Sequence, residues 1–219
     1  MEKKRVPKLA VGCYGGRRGS TIAALINARL KQKLGDNYQE RVQVYGVGHP
    51  EFVKGGAIPT EHQEALKEIA EENPCVKCAL EQLRTGERRA ISPEEIEEAD
   101  EVYAADTFIR DKYRELHKGE GQHVTTIAEA SGIYHGIYGP DLDDTEMPLH
   151  YVIEVIVPKK QGKKLSKNAP SSPREANWHS LEGRVYKAGT REARVQEAKD
   201  MVTLSDYLAN YIIKRYVKK

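Results

Sequence analysis

The residues with the clearest potential for chemistry lie in one glycine-rich segment near the start of the chain, Cys13 to Ser20. It reads Cys-Tyr-Gly-Gly-Arg-Arg-Gly-Ser and follows the apolar run Leu9 to Gly12. Glycine reaches backbone conformations that a Cβ atom excludes, so such a loop can turn several backbone N–H groups toward one point. Converging N–H donors bind phosphate and other oxyanions. The segment therefore predicts an anion-binding loop.

Cys13 is the candidate nucleophile of this loop. A helix is predicted directly after the loop, with Ser20 or Thr21 as its N-cap, and a helix N-terminus carries partial positive charge. We expect that field, together with Arg17 and Arg18, to lower the pKa of the Cys13 thiol and to give a thiolate able to attack phosphorus. The alternative is an ordinary strand-to-helix turn holding a buried thiol, because short glycine motifs also match by accident.

Composition narrows the classes of protein. Of 219 residues, 39% are hydrophobic and 31% are charged, and no apolar run approaches the length of a membrane span. The net charge is only +2, which does not favour a nucleic-acid partner. The three cysteines make an odd count, which fits free thiols in a reducing compartment. We therefore expect a cytoplasmic protein without a membrane or nucleic-acid partner, and the sequence leaves its oligomeric state open.

Alternating strands and helices must position the loop. Apolar residues at helical spacing predict a helix over 21–34, and a second strand follows at 42–47. A strand, a helix and a further strand imply a parallel pair with a right-handed crossover. Further strands are expected at 102–105 and 123–127, and further helices at 60–72, from 107 onward, and from about 192 to the C-terminus. This order predicts an α/β protein with a parallel sheet.

Two segments between the second and third strands are informative. Ser92-Pro93-Glu94-Glu95 predicts a helix start, with Ser92 as N-cap and Glu95 completing a capping box. The region 75–89 predicts only a short helical turn. It contains Cys75 and Cys78, a lone CxxC that we interpret as coincidence, since no second pair completes a zinc site. No metal or cofactor is expected.

The composition changes after Gly132. An acidic loop over 141–144 is followed by a β-like stretch at 151–157, a Lys-, Ser- and Pro-rich stretch, and a possible returning strand at 183–186. We interpret 147–189 as an insertion that forms a hairpin, and residues 1–219 as one domain that carries it.

The cysteine loop and the capped helix before the third strand occur in the same order along the chain as in a known family. In this respect the sequence resembles the low-molecular-weight protein tyrosine phosphatases and the related thioredoxin-coupled arsenate reductases. In that family the loop is Cys, five residues, Arg and Ser, and Cys13 and Ser20 match it. The segment 88–102 also resembles the family's short capped helix, Ala-Asp pair and third strand. The resemblance implies a flavodoxin-like open sheet of four parallel strands with helices on both faces and the site at the strands' carboxyl ends.

The sequence departs from the family at three positions, two of them in the loop. Gly19 stands where the family has its phosphate-gripping arginine, Gly16 stands in place of an asparagine, and Gly46 in place of a supporting serine. Glycine cannot replace a guanidinium that makes two hydrogen bonds to phosphate. Either the neighbouring Arg18 swings in and holds the anion, or the loop has changed its use.

The resemblance implies a cysteine-dependent phosphatase acting on phosphomonoesters, protein phosphotyrosine among them, through a phosphocysteine intermediate. Cys13 would be the nucleophile, Arg18 would grip the phosphate, and Asp141 would be the general acid, with Asp143 as second choice. Tyr14 and Tyr138 would substitute for the family's flanking aromatic residues. The remaining phosphate ligands would be backbone N–H groups of the loop, at Tyr14, Gly15, Gly16, Arg17, Gly19 and Ser20.

Other functions stay open. The same fold with a degraded loop would bind phosphate or a phosphoprotein without turnover, and Asp141 would then be a solvated turn residue. A cysteine phosphocarrier, which also lacks the arginine, is a weaker alternative. An arsenate reductase needs resolving cysteines after the third strand, where this sequence has Ala104-Ala105-Asp106.

Overall fold

A computed structural model describes most of the chain up to residue 130 and the C-terminal helix. The described residues are 5–53, 55–105, 107–117, 119, 121–127, 130, 177–179, 185–187 and 190–217. Asp141, Asp143, Tyr138 and the predicted strand at 151–157 lie outside them. The division into one domain and an insertion at 147–189 stays a prediction.

Four parallel strands form the central sheet. They are β1 (Lys8–Cys13), β2 (Gln43–Gly48), β3 (Glu101–Ala104) and β4 (Val124–Thr126), in the order β2-β1-β3-β4. Cys13 is opposite Gly48, and Gly12 is opposite Ala104. The carboxyl ends of the three adjacent strands β2, β1 and β3 therefore meet at one edge, and the predicted parallel sheet is confirmed.

Helices cover both faces of this sheet, as predicted. They are α1 (Arg17–Leu34), α2 (Thr60–Ala70), α3 (Pro74–Thr85), α4 (Pro93–Glu98), α5 (Thr107–Leu116) and α6 (Arg191–Ile212). A 3-10 turn follows α1 at Asp36–Glu40, and a π turn follows α6 at Ile213–Val217. None of the helices in the described part is long and apolar enough to cross a membrane.

Strand β1 supplies side chains to two separate cores. Leu9 and Val11 pack with α1, α2, α3 and α6, whereas Ala10 packs with α4 and α5 on the opposite face. Successive strand residues point to opposite faces, so a strand covered on both sides is apolar at every position. This explains why Leu9 to Val11 form an uninterrupted apolar run. Cys13 is therefore the last residue of a strand that is buried on both faces.

Helix α1 begins four residues earlier than the sequence predicted. It starts at Arg17, its N-cap is Gly16, and no side chain caps it, so the prediction of Ser20 or Thr21 as N-cap is wrong. The reason is the left-handed conformation of Gly16 (φ 77°, ψ −13°), which turns the chain into the helix within the loop itself. Arg17 to Ser20 therefore belong to the first turn of α1.

Helices α3 and α4 contrast in how well local sequence predicted them. The capping box of α4 is confirmed, since the Glu95 N–H donates to Ser92 Oγ at 3.2 Å and the Ser92 N–H to Glu95 Oε2 at 3.0 Å. The short turn predicted near Cys75 is instead the 12-residue helix α3. Asn73 caps it, accepting from the Cys75 N–H at 3.1 Å, and its apolar residues Val76, Ala79, Leu80 and Leu83 are buried.

Part of the predicted insertion forms an antiparallel strand pair, β5 (Asn177–His179) with β6 (Val185–Lys187). The returning strand expected near 183–186 overlaps β6. Its described partner is β5, which sequence reasoning did not predict.

Candidate active site

Cys13 occupies the position that the sequence predicted, the last residue of β1 facing the start of α1. Its side chain is buried, with 4% of the residue exposed. The backbone N–H of Gly19, in the first turn of α1, donates to Cys13 Sγ at 3.2 Å. A helix N-terminus leaves its first N–H groups without helical partners, so they can serve a thiolate or an anion. The strand end and the helix start thus converge on the sulfur atom.

Hydrogen bonds hold both ends of the loop. The His49 N–H, just beyond β2, donates to the carbonyl oxygens of Cys13 at 3.2 Å and Tyr14 at 3.0 Å. At the other end, the Ser20 N–H donates to the Gly16 carbonyl at 2.9 Å. Gly16 itself needs the conformation that glycine permits, since its φ is positive. The loop is therefore fixed in shape before any ligand arrives.

Gly19, the position of the family's arginine, has no room for a side chain. A Cβ atom there would lie 2.6 Å from the carbonyl oxygens of both Val11 and Val47. The helix start is pressed against the ends of β1 and β2, and Gly46 of β2 allows the same close approach to Ser20. The packing around the loop of this chain therefore excludes an arginine at position 19.

Tyr113 supports the cysteine from the opposite face of the sheet. It is fully buried on α5, and its hydroxyl donates to the Cys13 carbonyl at 3.2 Å. Its ring covers Gly12, where a Cβ atom would clash with the ring. The imidazole of His49 stacks on it, with ring centroids 5.8 Å apart. Sequence analysis predicted the helix that carries Tyr113 but could not see this contact, which joins residues 100 positions apart.

Arg18 and Arg17 both point to a carboxylate on α6. Glu197 Oε1 accepts from Arg18 Nε at 2.6 Å and from Arg17 at 2.9 Å. The side chains of Arg18 and Glu197 are each only 6% exposed, whereas that of Arg17 is 30% exposed. The expected grip of Arg18 on phosphate stays a prediction, because it would require Arg18 to leave this buried pair.

Glu197 is the site residue that sequence analysis missed. Burial opposes its ionisation, but the adjacent Arg17 and Arg18 outweigh burial and hold the pKa of its carboxyl at about 2. The signal that could have found it is an acidic residue among mainly apolar positions at helical spacing, beside Ala198 and Met201. Such a residue is buried only when it is paired.

His62 and Thr21 complete this charged cluster behind the loop. His62 Nε2 lies 2.8 Å from Thr21 Oγ1, and both residues are fully buried. The Thr21 hydroxyl already donates to the Arg17 carbonyl at 3.0 Å, so it accepts from His62, whose proton is therefore on Nε2. Burial, and then the charge of Arg17, lowers the pKa of His62 to about 3. The imidazole is neutral at physiological pH.

The expected depression of the Cys13 pKa is wrong for the protein without a bound anion. Burial raises the pKa of the thiol, and this effect exceeds the opposing effects of the Gly19 N–H, Arg18 and Arg17. The physical reason is that the buried sulfur has lost its contact with water, which penalises the charged form, while Glu197 offsets part of the charge of the two arginines. The resting cysteine is therefore a thiol, and it must lose its proton before it attacks.

An aromatic pair borders the loop. The rings of Tyr14 and Phe52 lie 4.5 Å apart between centroids, and Phe52 also contacts the His49 ring at 5.3 Å. Tyr14 and Phe52 are both half-buried. Sequence analysis proposed Tyr14 as a flanking aromatic residue but did not identify Phe52, which the turn after β2 brings beside it.

The other two cysteines lie far from Cys13. Cys75 Sγ is 3.0 Å from Oε1 of Gln32, thirteen residues beyond Gly19 on α1, which corresponds to about 20 Å of helix. Cys78 follows one turn later on α3. In this arrangement neither thiol can exchange with Cys13. Within the described ranges, no cluster of three or more His, Cys, Asp or Glu residues could hold a metal ion.

Comparison of the whole fold finds phosphatases. An arginine phosphatase, YwlE, in a cysteine-to-serine mutant whose active-site serine is phosphorylated, shares 17% identity at a TM-score of 0.56, covering 95% of this chain and 97% of its own. A low-molecular-weight protein tyrosine phosphatase from T. tengcongensis shares 16% sequence identity at a TM-score of 0.53. The match covers 93% of this chain and 98% of that protein. Another low-molecular-weight protein tyrosine phosphatase, from Bacillus subtilis, shares 16% sequence identity at a TM-score of 0.55. The match covers 95% of this chain and 98% of that protein.

No protein-family model matches the sequence, and no curated protein matches it either. Identities this low show a shared fold and leave activity to be argued from the site. The flavodoxin-like fold of the low-molecular-weight phosphatases, expected from the motifs, is confirmed.

Proposed function

We propose that this chain is a cysteine-dependent phosphatase that hydrolyses phosphomonoesters, protein phosphotyrosine among them. One observation carries the proposal: Cys13 Sγ, at the end of the central strand, accepts from the Gly19 N–H in the first turn of α1. The other N–H groups in the first turn of the helix can bind a phosphate dianion. The phosphorus atom would then lie beside the cysteine that attacks it. The likeness to phosphatase structures of the same fold supports this reading.

The reaction has two displacements. In the first, the Cys13 thiolate attacks phosphorus, an S–P bond forms, and the P–O bond to the leaving group breaks as Asp141 donates a proton to the leaving oxygen. In the second, Asp141 takes a proton from water, the water oxygen attacks phosphorus, and the S–P bond breaks. Phosphate leaves, and the thiolate and the acid are restored.

The loop stabilises the transition state mainly through its backbone. Backbone N–H groups from Tyr14 to Arg18 hold the three equatorial oxygens in a geometry fixed before binding, since the Gly19 N–H donates to the sulfur and the Ser20 N–H to the Gly16 carbonyl. Arg17 and Arg18, paired with Glu197, favour the thiolate by their charge. Because burial keeps the resting Cys13 protonated, kcat/KM should rise with pH as the thiol ionises.

The aromatic pair favours a flat leaving group. Tyr14 and Phe52 stand beside the loop at 4.5 Å between ring centroids, where an aryl ester could pack on them. The structural neighbours include both tyrosine and arginine phosphatases, so phosphotyrosine and phosphoarginine are the two substrates to compare.

The test is turnover of an activated aryl phosphate, then of phosphotyrosine and phosphoarginine peptides, by purified wild type and Cys13→Ser. Turnover should vanish in Cys13→Ser, because an alcohol in this loop is not ionised near neutral pH. Cys78→Ser, a change on α3 far from the loop, is the matched control and should keep wild-type rates. Phosphate release that persists in Cys13→Ser, or no release by wild type from any substrate, would refute the proposal.

A phosphate-binding module of the same fold is the second candidate. The raised pKa of the Cys13 thiol and the glycine at position 19 favour it, because both weaken catalysis without removing the N–H cradle. Calorimetry with inorganic phosphate separates the two functions: a module would bind the anion with no turnover of any ester.

A further inference from the structure

Four arginines lie at or near the cysteine loop, and three have a carboxylate partner. Arg17 and Arg18 share Glu197, and Arg89 makes two hydrogen bonds to Glu95, at 2.7 and 2.9 Å. Arg88 is different: within the part of the chain that the structure describes, no carboxylate pairs with it. A guanidinium without a carboxylate partner is available to bind an anion such as phosphate.

Arg88 lies directly against the loop. A Cβ atom built on Gly16 would lie 3.3 Å from Arg88 Cβ and 3.7 Å from its Cγ, so the side-chain stem covers the left-handed residue of the loop. The backbone holds it there, because the Arg88 N–H donates to the Gly56 carbonyl at 2.9 Å and the next residue's carbonyl accepts from Gly48 at 2.9 Å. The stem of Arg88 is therefore fixed beside the anion loop.

The guanidinium, in contrast, is lightly held. Its Nε donates to the Gly56 carbonyl at a long 3.3 Å, a bond to a neutral acceptor. A charged phosphate oxygen is a stronger acceptor for a guanidinium than a neutral carbonyl, and phosphate also allows two parallel hydrogen bonds to the arginine fork. Moving this guanidinium onto an anion in the loop would sacrifice one weak hydrogen bond.

Resting on the proposed function, we infer that Arg88 supplies the phosphate-binding guanidinium that is missing at Gly19. The expected alternative, Arg18, would have to abandon Glu197, and breaking a buried pair leaves an uncompensated charge in the protein interior. Arg88 would lose only its hydrogen bond to the Gly56 carbonyl. The arginine thus comes from the segment before α4 and reaches the loop from its side, while the loop's own arginines remain with Glu197.

The experiment measures orthovanadate and inorganic phosphate affinity by calorimetry at near-physiological salt, with turnover of an aryl phosphate alongside. Arg88→Ala should weaken anion binding at least tenfold and lower kcat/KM by a similar factor. Arg88→Lys should recover only part of the affinity, since a point charge does not reproduce the planar, two-bond grip.

Arg89→Ala is the matched control, because it removes the same charge from the next residue. Its guanidinium is exposed and already engaged by Glu95 and the ring of Tyr45, and the charge of such an exposed ion pair is screened by water and salt. We expect its anion affinity to stay within twofold of wild type. Melting temperatures of all variants without anion show whether each one folds.

Each outcome decides the matter. Tenfold weaker binding in a folded Arg88→Ala, with normal binding in Arg89→Ala, supports the inference. Wild-type affinity in Arg88→Ala overturns it and leaves the proposed phosphatase standing. If wild type itself neither binds vanadate nor turns over ester, both the inference and the proposed function fail. If Arg88→Ala does not fold, Arg88→Lys decides, and full wild-type affinity in that variant overturns the claim of a two-bond grip.

Discussion

The front and the back of the cysteine loop are stabilised by opposite means. At the front, the loop depends on close backbone packing, with Gly19 against the carbonyls of Val11 and Val47 and its N–H on Cys13 Sγ. At the back, Arg17, Arg18 and Glu197 form a buried charge cluster. The front can accept an anion because its donors are backbone groups, whereas the back already contains its own carboxylate. The contrast explains why the loop's arginines do not make the resting cysteine a thiolate.

Removing the carboxylate at the back should have the largest effect. Glu197→Ala removes the buried carboxylate that Arg17 and Arg18 share, so the free energy of unfolding should fall by about 3–5 kcal/mol. Denaturant unfolding measures this loss. Glu192→Ala, an exposed acid in the first turn of the same helix, is the control and should cost less than about 1 kcal/mol. Equal losses in the two variants would contradict the idea of a structural charge cluster.

Adding a side chain at Gly19, on the front of the loop, should have the next largest effect on stability. Gly19→Ala forces a methyl group against two carbonyl oxygens and should cost about 1–3 kcal/mol of stability while also reducing anion affinity. Gly15→Ala is the matched control within the same loop, because nothing lies within 4 Å of a Cβ there. Thermal melting with and without phosphate compares the two. A well-tolerated Gly19→Ala would show that the front is not closely packed.

Acid should weaken the back of the loop through His62. The folded pKa of His62 is about 3 and its ordinary pKa is about 6.5, so below pH 6.5 the unfolded chain takes up a proton that the folded protein does not. Stability should therefore be constant above this pH and fall below it, by about 2 kcal/mol at pH 5.

His62→Gln tests this dependence, since glutamine keeps a donor to Thr21 but does not titrate. Denaturant unfolding between pH 7 and pH 5 should show a flatter profile in the variant than in wild type. A parallel decline in both proteins would mean that other groups cause the acid sensitivity.

The sequence predicted the elements that depend on neighbours in the chain. The four strands, the capping box at Ser92 and the strand, loop and helix around Cys13 were all recognisable, because periodicity, turn residues and caps act over a few residues. Helix α3 was underestimated because its amphipathic pattern is short and its first residue is Pro74. The start of α1 was misplaced because a left-handed glycine, rather than a side chain, forms its N-cap.

The sequence by itself determined that a cysteine ends a central parallel strand and that a glycine loop connects it to a helix. Only the tertiary structure decided the electrostatics of that site. Glu197, 179 residues after Arg18, forms a hydrogen-bonded ion pair with the arginine that sequence analysis assigned to phosphate. Burial raises the pKa of the Cys13 thiol, whereas the arginines alone would lower that pKa. Local patterns fix backbone conformation, but the ionisation of a buried group depends on every charge and every lost water around it, and distant segments of the chain bring these together.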